Sequence, residues 1–149
     1  MHDDSLTKTA PTNKNLLRPR HGYYQPMARL AFFGTPDFSL PALRATHQFC
    51  QDYSHELSLV VCQPDKPQGR GQHRAPPPVK QLASELSLTI AQPETLKKNS
   101  PDGDSFWQHF SGLHIDLAIV VAYGRIISER LLSLPPCGFV NVHASLLPR

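Results

Sequence analysis

The chain is poor in several things at once, and each shortage removes a class of protein. It has only three cysteines, Cys50, Cys62 and Cys137, far apart and odd in number, with no C-x-x-C pair. A disulfide framework or a zinc ribbon is therefore excluded, a reducing cytoplasm is the simplest setting, and the three thiols read as small apolar core residues. No apolar run approaches the ~20 residues that span a bilayer, so no membrane association is expected. The amino-terminal segment lacks the hydrophobic stretch of a secretory signal, and Asp3 and Asp4 argue against an organelle transit peptide. G-x-G-x-x-G is missing at every strand-to-helix turn. The Gly69-Arg70-Gly71 run does not sit at such a junction, and Gly34-Thr35-Pro36-Asp37-Phe38 is Gly-led without being that fingerprint. G-x-x-x-x-G-K-[ST] and G-x-S-x-G are also absent, which leaves P-loop and serine-hydrolase chemistry without support.

What is present is a chain of 149 residues with a net charge of +3 and fifteen prolines. That length suffices for one domain with a real core. The pI near 8.9 points to an acidic partner, nucleic acid or a phosphate-bearing substrate, only where the charge is clustered. Residues 1–26 are polar, proline-punctuated and aperiodic, and read as a disordered extension. Met27, just ahead of the first strand-like run, reads as the true start.

From Met27 onward apolar runs alternate with helical periodicity. Strands are predicted at Leu30 to Phe33, His55 to Cys62, Leu88 to Ala91, Leu117 to Val121 and Phe139 to Val142. Helices are predicted from Phe38 to about Phe49, Val79 to Leu86, Ser105 to Phe110 and Ile126 to Leu134, with Asp37 as a cap or first-turn acid of the first. Continuous apolar strands separated by helices imply the α/β class, a parallel sheet with helices on both faces. Ligands in such sheets bind at the carboxyl ends of strands, where Gly34, Tyr123-Gly124 and Asn141-Val142-His143 all fall.

Two stretches carry chemistry. Asn141 and His143 sit at positions i and i+2 of the last strand and so project to one face if the strand persists to His143. An amide donor beside an imidazole is suited to polarising a carbonyl and moving a proton. The bland alternative is a histidine satisfied by the backbone. The loop from Gln63 to Pro78 exceeds the usual strand-to-helix connection and sets Lys66, Arg70 and Arg74 against one acid, Asp65. Cations on such a loop suit phosphate-backbone contact, while a solvated surface loop is the alternative.

The strand leading into "GTPDF" (34–38), "QPDKPQGRG" (63–71), "PVK" (78–80), "VVAYG" (120–124) and "NVHASLLPR" (141–149) occur in one order. Together they resemble the folate-dependent formyltransferase family, and within it the branch acting on methionyl-tRNA. The resemblance covers the chain from Met27 onward. It implies a partial catalytic domain over 27–149, Rossmann-like and incomplete at its C-terminus. It implies 10-formyltetrahydrofolate as formyl donor, initiator methionyl-tRNA as acceptor, and a cytoplasmic protein, monomeric at full length, needing no metal and no covalent intermediate. Asn141 and His143 match two of the family's three catalytic residues. Ser145, Leu146, Leu147 and Pro148 match its tetrahydrofolate-binding loop. The basic loop of Lys66, Arg70 and Arg74 matches the insertion that reaches the tRNA acceptor end. The family's third catalytic residue, an aspartate further along, has no counterpart before Arg149, so the isolated chain is expected to be inactive and marginally stable. The alternatives are a formyltransferase acting on a sugar nucleotide or other amine, and a non-catalytic remnant that binds tRNA or folate.

Overall fold

A computed structural model describes residues 27–68 and 73–143, with the backbone alone for Gln68 and His73. Five parallel strands form its sheet: β1 (Arg29–Gly34), β2 (Glu56–Val61), β5 (Ile90–Ala91), β6 (Leu117–Val121) and β7 (Phe139–Val142). Their order across the sheet is β5-β2-β1-β6-β7. β1 is central, pairing with β2 on one side and β6 on the other. The helices are α1 (Leu40–Asp52), α2 (Pro78–Glu85), α3 (Pro101–Gly112) and a single turn α4 (Glu129–Leu132).

Alternation along the strands sorts side chains into two cores. Leu30 and Phe32 of β1 and Leu57 and Val60 of β2 pack with Leu43 and Cys50 of α1 and Val79, Leu82 and Ala83 of α2. Ala31, Phe33, Leu59 and Val61 face the other way, onto Phe106 and Phe110 of α3 and Leu131 of α4. Both faces of the central strands are covered, so their sequences read as unbroken apolar runs. Helices leave one face before β6 and occupy the other after β5. The reversal opens a crevice beyond the carboxyl ends of β1 and β6.

The expected fold class is the observed one, a Rossmann-like parallel sheet, with local differences. α3 is longer than predicted because Ser100 caps it, its Oγ accepting from Gly103 N at 3.2 Å, with Pro101 at the first helical position. The helix expected over Ile126 to Leu134 contracts to four residues. Ala122 and Gly124 take left-handed backbone angles just before it, φ +47° and +79°, and Ser128, its N-cap, is still extended. The long basic loop is partly built, as an antiparallel ribbon of β3 (Lys66–Gln68) and β4 (His73–Ala75). A proline within a three-residue strand hides such a ribbon from pattern reading. Asp37 lies in the first turn of a short 3-10 segment, Asp37–Ser39, and makes no capping bond. Cys50 and Cys62 are buried as expected, whereas Cys137 is exposed. The extension assigned to residues 1–26 lies outside the described residues.

Phe33 joins the two halves of the second core. It is fully buried, edge-on to Phe106, Phe110 and Tyr123 at 6.5, 5.8 and 5.5 Å, and 5.5 Å from Phe139 of the outer strand. Replacing Phe33 with Ala should cost about 3–5 kcal/mol in urea unfolding. A loss below ~1 kcal/mol would show that this core does not carry the fold.

Candidate active site

The strand ends are fixed to one another by side chains from the turns that follow them. After β1, Thr35 Oγ1 donates to the Tyr123 carbonyl at 2.9 Å, and the fully buried Ser39 donates from Oγ to the Val121 carbonyl at 2.6 Å. After β2, Gln63 Nε2 donates to the same Tyr123 carbonyl at 2.9 Å. Gly34 is required by close packing: an added Cβ would lie 2.7 Å from Phe32 Cε1 and 2.9 Å from Ser39 Cβ. These contacts give the Gly34 turn a definite role in joining β1 to β6.

A cavity of about 360 Å³ opens at the ends of β6 and β7. Asn141 and His143 both line it, together with Val142 between them, Phe38, Val120 and the segment 122–125. β7 ends at Val142, so His143 stands one residue beyond the strand and not at a strand position as expected. Phe38 is 53 % exposed, an aromatic ring at the cavity instead of in the core. Arg125 is held at the rim by a hydrogen bond from Nη1 to the Pro93 carbonyl, 3.3 Å. Tyr123 turns its ring into the core under Phe33, and burial pushes its hydroxyl pKa up to about 12, so the phenol stays neutral. The site thus offers an amide, an imidazole and a guanidinium beside an apolar wall. Phe38 and Arg125 were not singled out from sequence. Phe38 was read as the start of the first helix and as part of "GTPDF", and Arg125 lay just ahead of the helix predicted from Ile126.

Ser145, Leu146, Leu147 and Pro148, expected to bind folate, lie outside the described residues, as does Arg70. Lys66 and Arg74 are described, exposed and paired within the ribbon region: Lys66 opposite Ala75, Arg74 opposite Pro67. A second cavity of about 460 Å³ lies between the ribbon and the first turn, with Lys66 and Asp37 on its walls. Asp65, the acid counted against the three cations, is engaged elsewhere. It accepts from Lys80 Nζ on both oxygens, 2.8 and 2.7 Å, and from Gln92 Nε2 at 2.7 Å. Lys80 entered the sequence reading only as part of "PVK" and Gln92 not at all, since each reaches Asp65 from a different element. Among the described residues no cluster of His, Cys, Asp and Glu could hold a metal ion, and no helix is long and apolar enough to cross a membrane.

The hydrogen bond from Gln92, then the Lys80 contact, holds the Asp65 carboxyl below its usual pKa. A folded pKa below the unfolded value of about 3.9 contributes stability that is present above that value and lost as pH falls through the folded pKa. Asp65→Asn should therefore lower the urea midpoint at pH 7, with the deficit shrinking as the pH drops below about 4. A deficit that stayed constant through that range would show that the carboxylate charge is not what Asp65 contributes.

Residues 28–149 match the family model described as formyl transferase. The methionyl-tRNA formyltransferase of Macrococcus caseolyticus is 44 % identical over 123 residues, 83 % of this chain and 36 % of the relative. That of Methylobacillus flagellatus is 47 % identical over 121 residues, 81 % of this chain and 36 % of the relative. The chain thus spans about a third of the length of these relatives. Among solved structures, glycinamide ribonucleotide transformylase 1 of Geobacillus kaustophilus superposes with a TM-score of 0.57 at 25 % identity, covering 82 % of this chain and 61 % of that one. Its counterpart from Symbiobacterium toebii reaches 0.61 at 18 % identity, over 87 % of this chain and 57 % of that one, a likeness of fold. The turn at Gly34, the parallel sheet and the strand-end cavity carrying Asn141 and His143 are features of a chain that belongs to the formyl transferase family.

Proposed function

We propose that residues 27–149 furnish part of the catalytic domain of a cytoplasmic, monomeric enzyme that formylates the methionine amino group of initiator methionyl-tRNA from 10-formyltetrahydrofolate. The observation that carries this reading is the single cavity lined by both Asn141 and His143 at the sheet's carboxyl edge. The basic ribbon favours the RNA-linked acceptor over a small amine, because Lys66 and Arg74 stand exposed on it and the acid next to them is already paired with Lys80. The names of the bacterial relatives support the same branch.

The folate, when bound, supplies an activated formyl group, and the apolar wall of Phe38 and Val120 suits a flat organic donor. The chemistry left to the chain is orientation, charge stabilisation and proton movement. As the methionyl amine attacks, a carbon–nitrogen bond forms and negative charge grows on the formyl oxygen. The Asn141 amide donates a hydrogen bond to that oxygen. His143 donates to it or carries the proton released by the amine to the departing folate nitrogen as the old carbon–nitrogen bond breaks. Ser145 to Pro148 complete the folate side in this scheme.

A hybrid in which residues 27–149 replace the matching part of the Macrococcus caseolyticus relative tests the assignment. It should formylate initiator methionyl-tRNA, and Asn141→Ala or His143→Ala should reduce turnover by roughly 10²–10³-fold, the size of a lost oxyanion donor. Near-normal rates in both variants would refute it. In filter binding, Lys66→Ala, Arg70→Ala and Arg74→Ala together should weaken tRNA binding and flatten its salt dependence by about 0.9 in log–log slope per lost phosphate contact, leaving folate binding intact. An unchanged slope would favour a small-amine acceptor.

A further inference from the structure

The stretch from Gln63 to Lys80 draws attention through its cations, yet the side chains at its root point inward. Gln63 makes three contacts with three different partners. Its Nε2 donates to the Tyr123 carbonyl at 2.9 Å, its backbone N–H donates to Thr35 Oγ1 at 3.4 Å, and its carbonyl accepts from Gln92 Nε2 at 2.9 Å. The same Gln92 nitrogen donates to Asp65 Oδ1 at 2.7 Å, and Asp65 is held by Lys80 on both oxygens. An unbroken hydrogen-bonded path therefore runs from Lys80 in the first turn of α2, through Asp65 at the base of the ribbon, Gln92 and Gln63, to Tyr123 in the cavity wall.

Two further features show that the path is built in. The Lys80 and Asp65 side chains are only 29 % and 25 % exposed, so the pair is partly withdrawn from water, where hydrogen bonds strengthen. A side chain at Gly124, the next cavity-lining residue, would collide with Gln63 Nε2, and its backbone is left-handed. The wall is shaped so that the Gln63 amide can lie against it. An amide is also the group required, because a carboxylate at this position would set an acceptor against the Tyr123 carbonyl.

We propose that Gln63 is a positioning residue: with Gln92, Asp65 and Lys80 it braces the ribbon against the Ala122–Arg125 wall of the cavity. The brace fixes the separation between the place where an acceptor strand is held and the place where its terminal amine reacts. Its purpose rests on reading the ribbon as the RNA-contacting element, whereas its mechanical consequence does not require RNA. Breaking the brace at its far end, Lys80, should therefore be felt at Tyr123 to Arg125. Hydrogen-bonded continuity alone does not establish such coupling, so the test measures it at a distance.

Amide hydrogen exchange would be followed by NMR in the full 149-residue chain and in its Lys80→Met, Lys80→Arg and Gln63→Glu variants. Lys80→Met should speed exchange at residues 122–125 about tenfold, beyond any change at Phe32 and Val60 in the core, and Lys80→Arg should restore most of the protection. In the Gln63→Glu background, Lys80→Met should add nothing further at 122–125. The proposal fails if Lys80→Met disturbs only the ribbon, or moves 122–125 no more than the core. Should Lys80→Met not fold, Gln92→Leu cuts the path at its middle and carries the same expectation. An RNA hairpin with the initiator acceptor stem is then added. If it does not bind the unaltered chain, the RNA reading of the ribbon is wrong and the exchange result still decides the brace.

Discussion

The Tyr123 carbonyl accepts two hydrogen bonds, from Thr35 Oγ1 and Gln63 Nε2, and through them the turns after β1, β2 and β6 are joined at a single oxygen. A parallel sheet leaves the groups beyond its carboxyl ends without ladder partners, and buried or half-buried carbonyls there must find donors. Supplying those donors from the turns of neighbouring strands satisfies the backbone and also fixes the crevice where the topology reverses. Ser39, donating to the Val121 carbonyl two residues earlier, extends the same arrangement into the core. The left-handed angles at Ala122 and Gly124 are tolerated in this frame, and they turn the chain around the rim of the cavity. Left-handed geometry at a non-glycine residue such as Ala122 costs roughly 1–2 kcal/mol, so the surrounding contacts have to hold it.

On that frame the proposed function would separate two kinds of chemistry. The cavity holds Asn141 and His143 against apolar walls, a setting in which a developing charge is stabilised by fixed donors instead of by water. The ribbon presents cations, and the neighbouring carboxylate is paired with Lys80, which reduces its effect on their field while Arg74 still feels it. Affinity for a polyanion and stabilisation of a reacting carbonyl make opposite demands on solvent exposure. Placing them on different elements, joined by the proposed brace, would meet both.

The strands were legible because burial on both faces writes them as unbroken apolar runs, and Leu117 to Val121 was found at its true bounds. Asn141 and His143 do meet at one cavity, but β7 ends at Val142, which lines it too, so a period of two does not account for their meeting. Contacts between distant positions were not legible. Lys80 and Gln92 look like ordinary helix and loop residues, and only folding brings them 15 and 27 positions back to Asp65. The ribbon was hidden by Pro67 and by strands too short to show alternation. The apolar spacing of Ile126, Ile127, Leu131 and Leu134 imitated a helix, yet Ile126 is 92 % exposed and precedes the turn that forms. Composition also misplaced Cys137, whose neighbours Pro136 and Gly138 put it in a surface turn.

The central claim is that Asn141 and His143 belong to a site for a formyl-bearing folate at the ends of β6 and β7. A titration of the isotopically labelled chain with a stable tetrahydrofolate analogue, followed by the backbone and side-chain amide signals, tests it most directly. The account predicts saturable shifts at Asn141, His143 and residues 122–125, including the Asn141 side-chain amide, larger than any at the ribbon. Shifts confined to another surface, or none at saturating analogue, would contradict it.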